Sequence, residues 1–235
     1  MAYQTEEEQL EALKAWFRQN GRHLVTGMLV AAVAAFGIFS WQQRQAHRAD
    51  SASADYQNLL QAMRALDANA GDAAKIKEQL ATARHLAETL KTDFESSSYA
   101  QFAALFKAKL AVDENDLAQA ETELKWVLEH KPTAEIKALT QLRLARVLFA
   151  KGDNDGALAQ LDEKSAGSYI GAYLQLKGDI AQARGDVEAA RAAYVRAQEL
   201  EKEMSSPIND PLLEMKLRDL QASPETSDAK VQGAS

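Results

Sequence analysis

The side chains best able to do chemistry in this sequence are scattered, not gathered. The four histidines, His23, His47, His85 and His130, lie in separate segments. No pair has the i, i+4 spacing that would hold a zinc ion on one helix face. The run Asp153-Asn154-Asp155-Gly156 resembles part of a calcium loop. Placing Gly156 at the turn position puts Lys151 where the first ligand carboxylate belongs, so the run reads better as a turn between helices. Carboxylates such as Asp93 and Glu95 read as solvated helix ends. The chain has no G-x-S-x-G, no phosphate-cradling glycine loop and no dinucleotide fingerprint. Cysteine is absent, which removes thiolate nucleophiles, disulfides and Cys-type zinc sites. These residues point away from an enzyme, and no metal or cofactor is expected.

The elements that carry these side chains are helical. Among 235 residues there are 11 Gly and only 4 Pro, and Ala, Leu, Glu, Gln and Lys recur throughout. That mixture favours helix over sheet. The apolar content of 46% is enough for a real core. A formal charge of -7, with no Lys/Arg stripe interleaved with aromatics, leaves no attraction for a phosphate backbone, so nucleic acid is not an expected partner.

From Leu24 to Trp41 the chain reads LVTGMLVAAVAAFGIFSW, with no charge and only Thr26 and Ser40 as hydroxyls. This is at the short end of a membrane-spanning helix. Each central Leu, Ile, Phe or Val contributes roughly -0.3 to -0.6 kcal/mol to insertion, enough together to outweigh the hydroxyls and glycines. A cleaved signal peptide fits less well. The run follows a long preamble containing Glu6, Glu7 and Glu8, and WQQRQAHR beyond it offers no small-x-small cleavage site. Charge leaves the orientation open, with Lys14, Arg18 and Arg22 before the span and Arg44 and Arg48 after it. Gly27, Ala31 and Ala35 share one face at i, i+4 and i+8, a candidate packing face for a second membrane helix, although small residues are common in such helices anyway. Ahead of the span, Leu10, Leu13, Trp16 and Phe17 keep a helical period, and Asn20-Gly21 is a stop signal. A short amphipathic helix lying in the lipid interface is expected over 1–23.

After Trp41 the helical period continues through Ala52, Tyr56, Leu59, Leu60, Met63 and Leu66, so one helix is expected to run on to the breaker Asn69-Ala70-Gly71. Ile76, Leu80, Ala83, Leu86 and Leu90 mark another helix, and Ser96 to Ser98 can cap one starting near Tyr99. Three segments then align: NDLAQAETEL from Asn115, GDNDGALAQL from Gly152 and GDVEAARAAY from Gly185. Asp116, Asp153 and Asp186 match, as do Ala120, Ala157 and Ala190, at spacings of 37 and 33 residues. These bracket the 34 of tetratricopeptide repeats, stacked helix-turn-helix units that bury their apolar faces only against one another. In such a stack the alanines allow close crossing, and Leu124, Leu161 and Tyr194 fill the gap. The predicted fold is therefore all-α, a single transmembrane helix followed by a tetratricopeptide-like solenoid over 42–221. Pro211 can open a capping helix through Leu220, and the tail over 222–235 has a disordered composition. The first helices of the repeats should line a groove suited to a peptide. Leu142, Arg146 and Phe149 are the candidates in one repeat, and Gln175, Asp179 and Gln182 hold the equivalent positions in the next.

The segments EEQLEALKAWFRQNGRHL, SASADYQNLL, LRLARVLFAKGDNDGALAQLD and LKGDIAQARGDVEAARAAY together resemble the YfgM family, ancillary subunits of the bacterial SecYEG translocon. The likeness runs from Glu8 to about Leu220, and the tail beyond is longer than the family pattern requires. The resemblance implies a cytoplasmic amino terminus, one span in a Gram-negative inner membrane and a periplasmic tetratricopeptide domain. It also implies association with SecYEG and the membrane-anchored periplasmic chaperone PpiD, and a non-catalytic role in passing translocating client proteins to periplasmic chaperones. A membrane-tethered assembly or stress-regulatory adaptor would use the same groove for another client.

Overall fold

The computed structural model describes residues 6–68, 71–203 and 211–222. The tail beyond Ala222 lies outside the described residues. The chain divides into two units, Met1–Ala54 and Asp55–Ser235.

The described part of the first unit is helical throughout and belongs to α1, Glu6–Ala68. The stop expected at Asn20-Gly21 does not occur, because the helix passes through both residues. The Asn20 amide turns back to donate to the Trp16 carbonyl at 3.2 Å, so its side chain bonds within the helix instead of capping it. A lone interior glycine costs only about 1 kcal/mol, too little to end a helix whose next turns would enter an apolar phase. Val25, Met28, Leu29, Val30, Val33, Phe36, Ile38, Phe39 and Trp41 are all exposed. The helix is long and apolar enough to cross a membrane, and among the described residues none of its apolar window is buried.

The second unit holds the rest: α2 (Ala73–Asp93), α3 (Ser98–Asp113), α4 (Leu117–Glu129), α5 (Ala134–Ala150), α6 (Asn154–Ala159), α7 (Ile170–Ala183), α8 (Val187–Glu203) and α9 (Pro211–Ala222). Ser97 caps α3 by accepting from the Ala100 amide, at the Ser96–Ser98 run. The three matched segments are the turns α3/α4, α5/α6 and α7/α8, and each is built in the same way. Asn115, Gly152 and Gly185 take positive φ of 59°, 84° and 79°. The next amide in each turn reaches back to a carbonyl five residues earlier, Asp116 to Ala111, Asp153 to Leu148 and Asp186 to Ala181. The three aspartates then accept from the amides of Gln119, Gly156 and Ala189 at 2.9–3.0 Å and so cap the following helix. Asparagine replaces the glycine of the first turn because it tolerates the left-handed region better than other side chains.

Ala120, Ala157, Ala190 and Tyr194 have no solvent exposure, and Leu124 and Leu161 have 1%. The register read from the sequence is thus the register of the core. One apolar cluster joins α3, α4, α5 and α7, and a second joins α7, α8 and α9. An ion pair recurs between successive hairpins: Arg84 with Glu114, Lys151 with Glu121 at 2.5 Å, and Arg184 with Asp155 at 2.6 Å.

The middle repeat departs from a regular stack. Its second helix, α6, has only six residues, followed by 3-10 turns at Glu163–Ser165 and Gly167–Tyr169. Asp162 accepts from the Lys164 amide at 3.1 Å and starts a new turn there, and Gly167 has a φ of 52°. The DEKSAGS stretch thus ends the helix with local side-chain bonds that compete with it.

Candidate partner-binding groove

Helices α3, α4 and α5 line an open groove of about 350 Å³ in the second unit. Ala108, Val112, Leu117, Leu124, Val147 and Ala150 form its apolar wall, and Lys109, Arg143 and Arg146 supply its charge. Ala108 and Val112 come from one face of α3, and Arg143, Arg146, Val147 and Ala150 from one face of α5, as i, i+3, i+4 and i+7 spacing requires. Val112 is 45% exposed, unusual for a valine beside a core this well closed.

The three cations differ. Lys109 pairs with Asp113 one turn along, at 2.7 Å. Arg143 is half-buried, and burial pushes its guanidinium below the usual arginine range. The charge of Arg146 pushes the same way, against an opposing influence of Tyr169. Among the described residues, neither Arg143 nor Arg146 has an ion-pair partner. The groove can therefore accept apolar side chains and offers two guanidinium groups to carboxylates.

The residues singled out from the sequence are not brought to one place. Arg146 lies in the groove. Leu142, at 3% exposure, is a core residue and offers nothing to a partner, and Phe149 packs from the side against the same cluster. Gln175 is partly buried on α7. Asp179 accepts a hydrogen bond from the Tyr194 hydroxyl at 2.7 Å and pairs with Lys216 of α9 at 2.5 Å. Gln182 lies 3.1 Å from the same hydroxyl. Burial and the Asp179 carboxylate both push the Tyr194 phenol well above its ordinary value, so it stays a donor. Asp179 and Gln182 are thus engaged with other parts of the fold. In the first unit, Gly27, Ala31 and Ala35 are exposed along α1, and a Cβ added at Gly27 would meet nothing within 4 Å.

Arg143 was not among the sequence candidates. Its signal is present nonetheless: Leu139, Thr140, Arg146 and Val147 stand at i-4, i-3, i+3 and i+4, with no carboxylate to neutralise it along the helix.

The family described as a tetratricopeptide repeat-like domain matches residues 14–222. An ancillary SecYEG translocon subunit of Aggregatibacter actinomycetemcomitans is 33% identical over 94% of this chain and 100% of its own length. The chain belongs to the tetratricopeptide repeat-like YfgM family. Family members carrying the same name in Haemophilus influenzae and Escherichia coli are 29% and 30% identical, over 94% and 93% of this chain and 100% and 98% of their own. No solved structure matches the chain. The family match starts inside α1 and ends with α9, so it takes in the apolar helix and the repeats together.

Proposed function

We propose that the chain is a non-catalytic ancillary subunit of the SecYEG translocon that links translocating proteins to periplasmic chaperones, PpiD among them. Residues 1–23 lie on the cytoplasmic side, 24–41 span the inner membrane, and 42–221 form the periplasmic binding domain. The observation that carries this reading is the near full-length match to relatives named as ancillary translocon subunits. The exposed apolar window of α1 supports the anchor, and Gly27, Ala31 and Ala35 give it a face on which a translocon helix can pack closely. The groove on α3, α4 and α5 supplies a surface on which a partner can bind.

Co-purification tests the association. Full-length protein solubilised in mild detergent should bring down SecY, and changing Gly27 and Ala31 to Leu should weaken recovery several-fold by holding the helices apart. Failure to recover SecY from wild-type protein would contradict the proposal.

A further inference from the structure

Position for position, the residue seven before each capping aspartate is Lys109, Arg146 and then Asp179. In the third repeat this residue is satisfied within the fold. Asp179 meets Lys216 of α9 at 2.5 Å, while Leu213 and Leu220 of the same helix enter the apolar cluster. In the first two repeats the equivalent residues, Lys109 and Arg146, are both cations and line one groove with a third, Arg143. They cannot pair with one another. The acids at that end of α3 are engaged, Asp113 with Lys109 and Glu114 with Arg84.

Elsewhere among the described residues, Lys91 and Lys107 are neutralised by Glu123 and Lys177 by Glu163, and the partly buried Arg191 donates to the Leu220 carbonyl at 2.9 Å. Arg143 differs from these: it is a half-buried guanidinium with neither an ion pair nor a hydrogen bond among the described residues, in a chain whose formal charge is -7. Its desolvation has been met without a compensating pair, so a carboxylate arriving from outside gains more there than at an open surface.

We propose, on the reading that this domain is a protein-binding scaffold, that the α3–α4–α5 groove binds an amphipathic acidic helix of a partner protein. Its apolar side chains fill the space between Val112, Leu117 and Val147, and two carboxylates one turn apart pair with Arg143 and Arg146. The i, i+3 spacing of the arginines places them about 5–6 Å apart at Cβ, matching carboxylates at i, i+3 or i, i+4 on the incoming helix. A volume of about 350 Å³ holds a few side chains, not a folded domain.

The test uses full-length protein in detergent and a labelled helical peptide with a Leu stripe at i, i+3, i+4 and i+7 and two Glu one turn apart. An otherwise identical peptide carries Gln for Glu. Fluorescence anisotropy should show the Glu peptide binding about tenfold more tightly, with the advantage shrinking as salt rises. Arg143→Gln with Arg146→Gln should remove that discrimination, and Arg146→Gln alone, at an exposed position, should reduce it without disturbing the fold. Equal binding of the two peptides, or no binding of either, would overturn the proposal. So would a photoreactive residue at Val112 that crosslinks only within the chain or only to a second copy. SecY recovery through α1 reads the scaffold separately: recovery with no peptide discrimination sinks the groove alone, while loss of recovery sinks the wider reading.

Discussion

Glu123 is 2% exposed, yet it is a carboxylate, and the reason lies in three neighbours. Lys91 from α2 reaches it at 2.6 Å, Lys107 from α3 at 2.8 Å, and the Gln119 amide donates to it at 2.9 Å. Lys91 also lies over the Trp126 ring at 4.8 Å. Glu123→Ala would leave two partly buried ammonium groups facing each other, and should cost about 3 kcal/mol, read as a lower denaturation midpoint of the full-length protein. His130 is the pH-sensitive residue of the same region. Burial alone would lower its pKa, but bonds to the Trp126 carbonyl at 2.6 Å and to Glu95 at 2.9 Å outweigh that and raise it. The folded state therefore holds the proton more tightly than the unfolded chain. This stability is fully present below the ordinary value of 6.5 and is lost as pH rises through the raised one. His130→Gln should flatten the fall in midpoint over that window, and an unchanged slope would discount the pair. Neither arrangement was legible in the sequence, because both join residues from separate segments, Lys91 with Glu123 and Glu95 with His130, whose meeting depends on how the helices stack.

The helices themselves were more legible than their ends. Matching Asp116, Asp153 and Asp186 located three hairpin turns, since an N-cap aspartate after a left-handed residue is a local device that needs no tertiary context. The period through Tyr56 and Leu66 likewise located the end of α1. The six-residue α6 was not foreseen, because a helical period over GALAQL does not reveal that Asp162 will open a competing turn. Asn20-Gly21 misled for the opposite reason, a local stop signal overridden by the helix around it. One position tests close packing between elements directly. A Cβ at Gly178 would overlap the ring of Tyr194, which is fully buried between α7 and its neighbours. Gly→Ala inside a helix ordinarily gains about 0.5–1 kcal/mol, but forcing an atom into a closed core costs about 1–3 kcal/mol. Gly178→Ala should therefore lower thermal stability, and a raised melting temperature would show that the ring can move aside.

For the whole molecule, the sequence already carried the long apolar helix, the repeat architecture and the family, because each is written in periodicity or in contiguous segments. Of the positions read from the sequence for a groove, Arg146 lines the one on α3, α4 and α5, whereas Leu142 turned inward and Asp179 was taken by α9, a partner 37 residues away in sequence. Which helix covers which face follows from how the stack ends, and no single repeat contains that information. The central claim is that one end of the chain holds the translocon while the other presents a groove to its clients and chaperones. Site-specific photocrosslinking in native membranes tests it most directly, with probes at Ala31 on α1 and at Arg146 in the groove. Adducts with SecY from Ala31, and with PpiD or a translocating chain from Arg146, are the expected result. Adducts confined to unrelated envelope proteins from both positions would contradict it.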